Sequence, residues 1–230
     1  MSNVDEPRHE EPSPDANYAQ LREQMVERQL RRRGIADRRV LDAMLAVPRH
    51  EFVPENLRDA AYDDGPLPIG FGQTISQPFT VAFMAEALRL GGWETALEVG
   101  TGSGYAAAVL SRLVQKVHTI ERFEPLALQA RERLARLGYD NVEVHVGDGS
   151  LGLPERAPFD AILVTAGAAH LPPPYAEQLA EGGKAVIPLG DAETSQNLFR
   201  FTRRGDRLLS ENLGGFAFVP LVGRYGWSDA

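Results

Sequence analysis

The chain has 230 residues, and its 24 Lys and Arg against 32 Asp and Glu give a formal net charge of −8, which excludes a basic nucleic-acid binder acting through bulk electrostatics. A hydrophobic share of 43% is that of a globular protein able to bury a sizeable core. The absence of cysteine excludes disulfides, thiolate metal sites and a Cys nucleophile at once.

Residues 1–16 carry Asp5, Glu6, Glu10, Glu11 and Asp15 with three prolines and almost nothing apolar, and read as a disordered acidic tail. They lack the positive start and apolar run of a secretory signal, and no later stretch approaches the ~20 apolar residues of a membrane span. A soluble, cytoplasmic monomer with neither a membrane nor a nucleic-acid partner is therefore expected. Apolar residues at helical spacing (Leu21, Met25, Val26, Leu30) predict a helix over 17–33, closed by Gly34. A second short helix follows Asp37 and stops at Pro48. The Pro- and Gly-rich stretch 48–78 reads as a long loop with only short helical or extended pieces.

From Pro78 the pattern turns regular. Helices are expected over 79–90, 105–113 and 125–137, the last with Pro125 near its start and Gly138 just past its end. Strands are expected over 95–99, 117–121, 141–146, 160–164 and 184–189. This alternation argues for βαβ units and a doubly wound, mostly parallel α/β sheet. Residues 198–202 and 207–213, joined by a turn at Arg204-Gly205-Asp206, look like an antiparallel hairpin appended to that sheet.

The sharpest chemical signal is Leu97-Glu98-Val99-Gly100-Thr101-Gly102-Ser103-Gly104-Tyr105, where a strand hands over to a helix. Glycines there serve a tight turn and close approach of a ligand to the backbone. The dinucleotide fingerprint G-x-G-x-x-G fails because the third glycine comes one residue early. Glu98, just before the loop, opposes a pyrophosphate but suits a ligand with an ammonium group, so the spacing favours S-adenosylmethionine over NAD. Glu121 ends the next strand, where an acid accepts hydrogen bonds from ribose hydroxyls. Asp148 and Gly149 end the third, within reach of an adenine edge. Alone, each acid is as easily a solvated strand end or a helix cap; three at the carboxyl ends of consecutive strands shift the balance.

Other chemistries fail on inspection. Ser103 lacks the glycines of a nucleophile elbow at 101 and 105, and neither Lys116 nor Lys184 sits in a Walker loop. His9, His50, His118, His145 and His170 show no pair at metal-ligand spacing, so no metal is expected and each reads as a packing or surface residue. Gly70-Phe71-Gly72-Gln73-Thr74-Ile75-Ser76-Gln77-Pro78 offers polar donors at the start of a helix, where carboxylates bind favourably. The plainer reading of these residues is that Ser76 or Gln77 simply caps that helix.

The sequence also resembles the protein-L-isoaspartate O-methyltransferases from about Met25 to Leu221. The resemblance is carried by Met25-Val26 with Gln29-Leu30, Arg33-Gly34-Ile35, Val47-Pro48-Arg49-His50 with Phe52-Val53-Pro54, and Leu67-Pro68-Ile69-Gly70 running into Gly72 to Pro78. It continues through Leu97 to Tyr105, Gly147-Asp148-Gly149, Pro158-Phe159-Asp160 with Thr165-Ala166, and Gly182-Gly183 before Val186-Ile187-Pro188. The glycine loop is common to many methyltransferases; Thr-Ile-Ser-Gln-Pro is specific. The resemblance implies a Rossmann-like methyltransferase domain over 17–230. Residues 17–77 would supply helices and a loop covering the cofactor, 78–190 the cofactor-binding core, and 191–230 a hairpin and a strand at the substrate cleft, bordered by Phe218-Val219-Pro220-Leu221.

The implied reaction is S-adenosylmethionine-dependent methylation of the α-carboxyl of L-isoaspartyl residues in damaged proteins and peptides. Ser76 takes the position of the family's catalytic serine. Thr74, Ile75 and Ser76, with Glu98, Gly100, Thr101, Gly102, Gly104, Glu121, Asp148 and Gly149, take the cofactor-binding positions. Leu171-Pro172-Pro173-Pro174 is more proline-rich than the family pattern, and the acidic tail lies outside it. Two other readings stay open: a methyltransferase acting on a normal aspartate during maturation of a specific peptide, and a module that binds damaged chains without methylating them.

Overall fold

A computed structural model describes residues 14–191 and 195–228. Residues 1–13 of the expected acidic tail, with His9, lie outside the described residues. The first helix, α1 (Pro14–Met25), starts three residues before the expected position and continues as a π turn and a 3₁₀ turn to Arg33. Gly34, at φ +101°, ends it in the left-handed conformation that glycine adopts without a steric penalty. The next helix, α2 (Arg38–Ala46), is capped by the Asp37 carboxylate, which accepts from the Arg39 N–H at 2.8 Å and contributes about 1 kcal/mol. Its Val40, Leu41 and Met44 are buried.

The stretch expected to be a loop contains a hairpin of β1 (Leu67–Gly70) and β2 (Gln73–Ile75), paired antiparallel. Its tip holds Gly70, Phe71 and Gly72 at φ +93°, +53° and +68°. Two of these three positions are glycine, and Phe71 accepts a backbone conformation that side chains disfavour. Helix α3 (Pro78–Ala87) follows. The Glu86 carboxylate on α3 accepts from the backbone N–H groups of Ala36 and Asp37, fastening the N-terminal helices to the core.

The core alternates as expected: β3 (Thr95–Val99), α4 (Tyr105–Ser111), β4 (Lys116–Glu121), α5 (Glu124–Arg136), β5 (Val142–Val146), β6 (Phe159–Val164), α6 (Pro173–Gln178), β7 (Leu179–Gly190), β8 (Gln196–Arg204) and β9 (Arg207–Phe216). The seven-stranded sheet runs β5-β4-β3-β6-β7-β8-β9, parallel from β5 to β7 and antiparallel across β7, β8 and β9. β7 begins five residues before the expected 184, because Gly182 and Gly183, a turn signal in sequence, lie within a strand that is irregular where it meets β6.

Strand pleating divides the interior into two layers. Ala96, Ala161 and Leu163 pack under α3 and α4 in one cluster, while Leu97, Val99, Ile162 and Val164 belong to the other, with Tyr175 of α6. Chain order departs in opposite directions from β3, to β4 on one side and β6 on the other. Ligands of open α/β sheets bind in the crevice outside the carboxyl ends of the strands at such a point. After β9 the chain returns to that crevice: Leu221 N–H donates to Gly167 O at 2.7 Å and Gly167 N–H to Val219 O at 2.8 Å. Among the described residues no helix is long and apolar enough to cross a membrane.

Candidate active site

A cavity opens at this crevice, where open α/β sheets bind their ligands. Its floor is the turn after β3. Gly100 N–H donates to Ile120 O at 2.9 Å, and Gly104 N–H closes the turn on Thr101 O at 2.8 Å. Gly100, at φ +96°, is required by space as well: a Cβ there would stand 2.4 Å from Thr165 Oγ1. Thr165 in turn donates from that hydroxyl to the carbonyls of Val99 and Gly100, so the turn is held from the β6 side.

Glu121 forms the acidic wall. Its buried carboxylate accepts from Gly102 N–H at 2.8 Å and from Phe123 N–H at 3.0 Å, one bond per oxygen. A carboxylate has about four acceptor positions, so two lone pairs remain for hydroxyl donors in the cavity that Glu121 lines. Val99, Ile120, Ile75 and Val81 supply the apolar surface, and Gly149 lets the third strand end come close. A Cβ on Gly149 would strike Val99 Cγ1 at 2.5 Å.

Over this floor lie the β1–β2 hairpin and α3. Thr74, Ile75 and Ser76 line the cavity as expected. Capping does not account for Ser76 or Gln77: helix α3 has no side-chain cap bond, and Gln77 donates to Asp64 Oδ1 at 2.7 Å instead. At the hairpin tip the exposed Phe71 ring packs on Phe123, with centroids 5.8 Å apart. A second, open groove adjoins the cavity, and Thr74, Ser76, Thr165 and Val219 line both. Arg33, Phe79 and residues 215–218 line its far side.

Three expected positions stand behind the wall. Glu98 does not line the cavity; it is fully buried, and its Oε2 accepts from Thr119 Oγ1 at 2.6 Å, while Oε1 has no partner. Burial pushes its carboxyl up to about 8. Thr119 also meets Thr101 Oγ1 at 2.6 Å, so Glu98 steadies the loop from below. Half-buried Asp148 is also absent from the cavity lining and accepts from Ser150 N–H, the Ser150 hydroxyl and Arg224 N–H. Burial raises its carboxyl, but these donors outweigh that and hold it below the usual range. Gly104 caps α4 at φ +87° and is one layer removed from the cavity, whereas Gly100, Thr101 and Gly102 line it.

The profile of the protein-L-isoaspartate(D-aspartate) O-methyltransferase family matches residues 20–226. The chain belongs to this family. It is 57% identical over 212 residues to protein-L-isoaspartate O-methyltransferase 2 of Pelobacter propionicus, covering 92% of this chain and 94% of the relative. It is 54% identical over 212 residues to the Geobacter metallireducens enzyme, with 92% and 98% covered. Among solved structures, a protein-L-isoaspartate O-methyltransferase superimposes with a TM-score of 0.80 at 31% identity, over 89% of this chain and 67% of that one. A Plasmodium falciparum relative in complex with S-adenosyl-L-homocysteine gives 0.75 at 29%, over 87% and 98%.

In this isoaspartyl methyltransferase, Tyr105, Ala106, Arg122, Phe123, Thr165 and Val222 line the cavity beyond the expected positions, and Val219, Pro220 and Leu221 of the expected cleft border line it too. Arg122 and Phe123 directly follow Glu121 and were findable by their position past a strand end. The C-terminal residues carry no local signal of their own; the resemblance points to them, and the return of the chain brings them there.

Proposed function

We propose that this chain methylates the α-carboxyl of L-isoaspartyl residues in proteins and peptides, using S-adenosylmethionine, and so starts a repair in which the ester re-closes to a succinimide that can hydrolyse to aspartate. One observation carries the reading: Ser76, with Thr74 and Thr165, stands in the wall shared by the cavity at the crevice and an open groove. A cofactor on one side and a peptide on the other would meet there.

The cavity fits the cofactor. Glu121 offers a buried carboxylate with spare lone pairs for a ribose diol, Val99 and Ile120 offer flat apolar surface, and Gly100 to Gly102 admit close approach. When bound, S-adenosylmethionine supplies an electrophilic methyl group on a sulfonium. The residues of this chain then have little proton transfer to perform, because an isoaspartyl carboxylate is already ionised near pH 7. This accounts for a site without His or Cys. In our reading Ser76 is the catalytic residue: its hydroxyl, which has no hydrogen-bond partner among the described residues, donates to one carboxylate oxygen and aims the other at the cavity. Fixing that orientation is where much of the rate arises. The hairpin, seated by Phe71 on Phe123, covers the cavity and limits water, which favours a reaction that consumes two opposite charges.

An open groove beside the cavity, lined by residues 215–218, supports binding of an extended peptide with little demand on its sequence. The net charge of −8 supports protein rather than nucleic-acid substrates, and the reading carries with it a cytoplasmic monomer. The test is transfer of labelled methyl from S-adenosylmethionine to two peptides that differ only in L-isoaspartate or L-aspartate at one position. Base-labile labelling of the isoaspartyl peptide alone is expected; labelling of the aspartyl peptide, or of neither, overturns the proposal.

A further inference from the structure

Away from the cavity, strand pairing assembles a donor set that sequence spacing hid. β4 and β5 run parallel with His118 opposite Glu143 and Ile120 opposite His145. Residues two apart on a strand share a face, so His118, Glu143 and His145 converge. His118 Nδ1 and His145 Nε2 are 3.2 Å apart. Glu143 Oε2 lies 3.6 Å from the first and Glu143 Oε1 3.7 Å from the second. A tetrahedral ion with bonds of ~2.0–2.2 Å holds its donors roughly 3.3–3.6 Å apart. The three side chains are therefore near the separations that such an ion imposes, with no change in strand register.

We propose that His118 Nδ1, His145 Nε2 and the Glu143 carboxylate form a binding site for one divalent transition-metal ion of the Zn²⁺ class, separate from the methylation site. Two imidazoles and one carboxylate suit Zn²⁺, Ni²⁺ or Cu²⁺ and are a poor match for Mg²⁺ or Ca²⁺, which take oxygen donors. β5 is an edge strand, and His145 and Glu143 are partly exposed, which leaves an outward position for water or an exchangeable ligand. None of the three residues lines the catalytic cavity. His118 lies three residues before Glu121 on β4, about 10 Å along the strand.

Two cations compete with the ion. Arg156 Nη2 sits 2.9 Å from Glu143 Oε1 and Lys116 Nζ 3.6 Å from Glu143 Oε2, so the carboxylate is shared and the site is weaker than its donor set alone would make it. This gives the proposal a signature that chance surface binding lacks, because removing the exposed Arg156 should tighten it.

The test is calorimetric titration of ZnCl₂ into the full chain freed of any affinity tag, with MgCl₂ as the comparison ion. With no cysteine in the chain, thiolate sites add no background. One Zn²⁺ per chain is expected, with no uptake of Mg²⁺. His145→Gln, at a partly exposed position, should weaken binding by about tenfold or more, and Arg156→Ala should tighten it several-fold, both variants melting as folded proteins. Absence of saturable uptake by the wild type, or uptake that His145→Gln leaves unchanged, overturns the proposal. Labelling of isoaspartyl peptide is unaffected by either result, so this inference and the methylation reading fail independently.

Discussion

Replacing Glu121 by Gln isolates one charge and one lone-pair set at the heart of the cavity. The carboxylate accepts from Gly102 N–H through Oε2 and from Phe123 N–H through Oε1. An amide has only one acceptor oxygen, so in either orientation its NH₂ faces one of these donors. Leaving a buried donor unpaired costs about 1–3 kcal/mol of stability, which lowers the melting temperature of a chain this size by roughly 2–4 °C for each kcal/mol. The amide also accepts less well from a ribose diol. Loss of one hydrogen bond to an ionised group costs about 1.5–3 kcal/mol and raises Kd roughly 10- to 150-fold. Titration calorimetry with S-adenosylhomocysteine, alongside a thermal melt, measures both terms. Unchanged cofactor affinity in a variant that melts lower would refute the assignment of Glu121 as the ribose acceptor and reduce it to a brace for the turn.

Further outcomes follow from the same geometry. Ser76→Ala should lower kcat for an isoaspartyl peptide by roughly 10- to 150-fold, the worth of one hydrogen bond to a carboxylate, with S-adenosylhomocysteine affinity unchanged; an unaltered kcat at saturating peptide removes Ser76 from catalysis. The Glu98 carboxyl, pushed up by burial to about 8 from 4.5, keeps in the folded state a proton that the unfolded chain releases. Its contribution to stability is complete below pH 4.5 and is lost as pH rises toward 8. Urea denaturation across that window should show Glu98→Gln flattening the decline, and parallel profiles for the two proteins would contradict the buried acid. Gly100→Ala, with its Cβ 2.4 Å from Thr165 Oγ1, should destabilise strongly. Adding Thr165→Ala should recover the part due to collision and leave the part due to φ +96°; no recovery at all would place the whole effect in the backbone. Phe71→Ala removes the contact with Phe123 and should speed cofactor dissociation in stopped-flow experiments, whereas an unchanged off-rate means the hairpin is held elsewhere.

What the sequence disclosed and what it concealed divide along physical lines. The glycine loop and Ser76 were legible because their geometry is local: a strand, a turn and a helix N-terminus lie within a few residues. Glu121 was legible because it ends a strand at the switch point. Glu98 and Asp148 stand at the expected strand ends, but neither lines the cavity. Glu98 alternates with Val99, and it is Val99 that faces the cavity, while Asp148 is taken up by Ser150 and Arg224. The direction of a side chain at a strand end depends on pleat and on partners distant in sequence, and neither is visible in a motif. The β1–β2 hairpin was read as loop because its glycines and prolines suppress the alternation that marks a strand. His118 and His145 are 27 residues apart, and only parallel pairing brings them together.

The return of residues 219–222 to the crevice has a bearing on how the protein is made. On the ribosome the chain emerges from its amino end, so the sheet from β3 to β7 can pair while one wall of the cavity is still unsynthesised. During that interval Val99, Ile120 and the glycine turn face water on the side that Pro220 and Leu221 later close. A methyl-donor site with this wall therefore exists only once the segment after β9 has been made and has docked against Gly167.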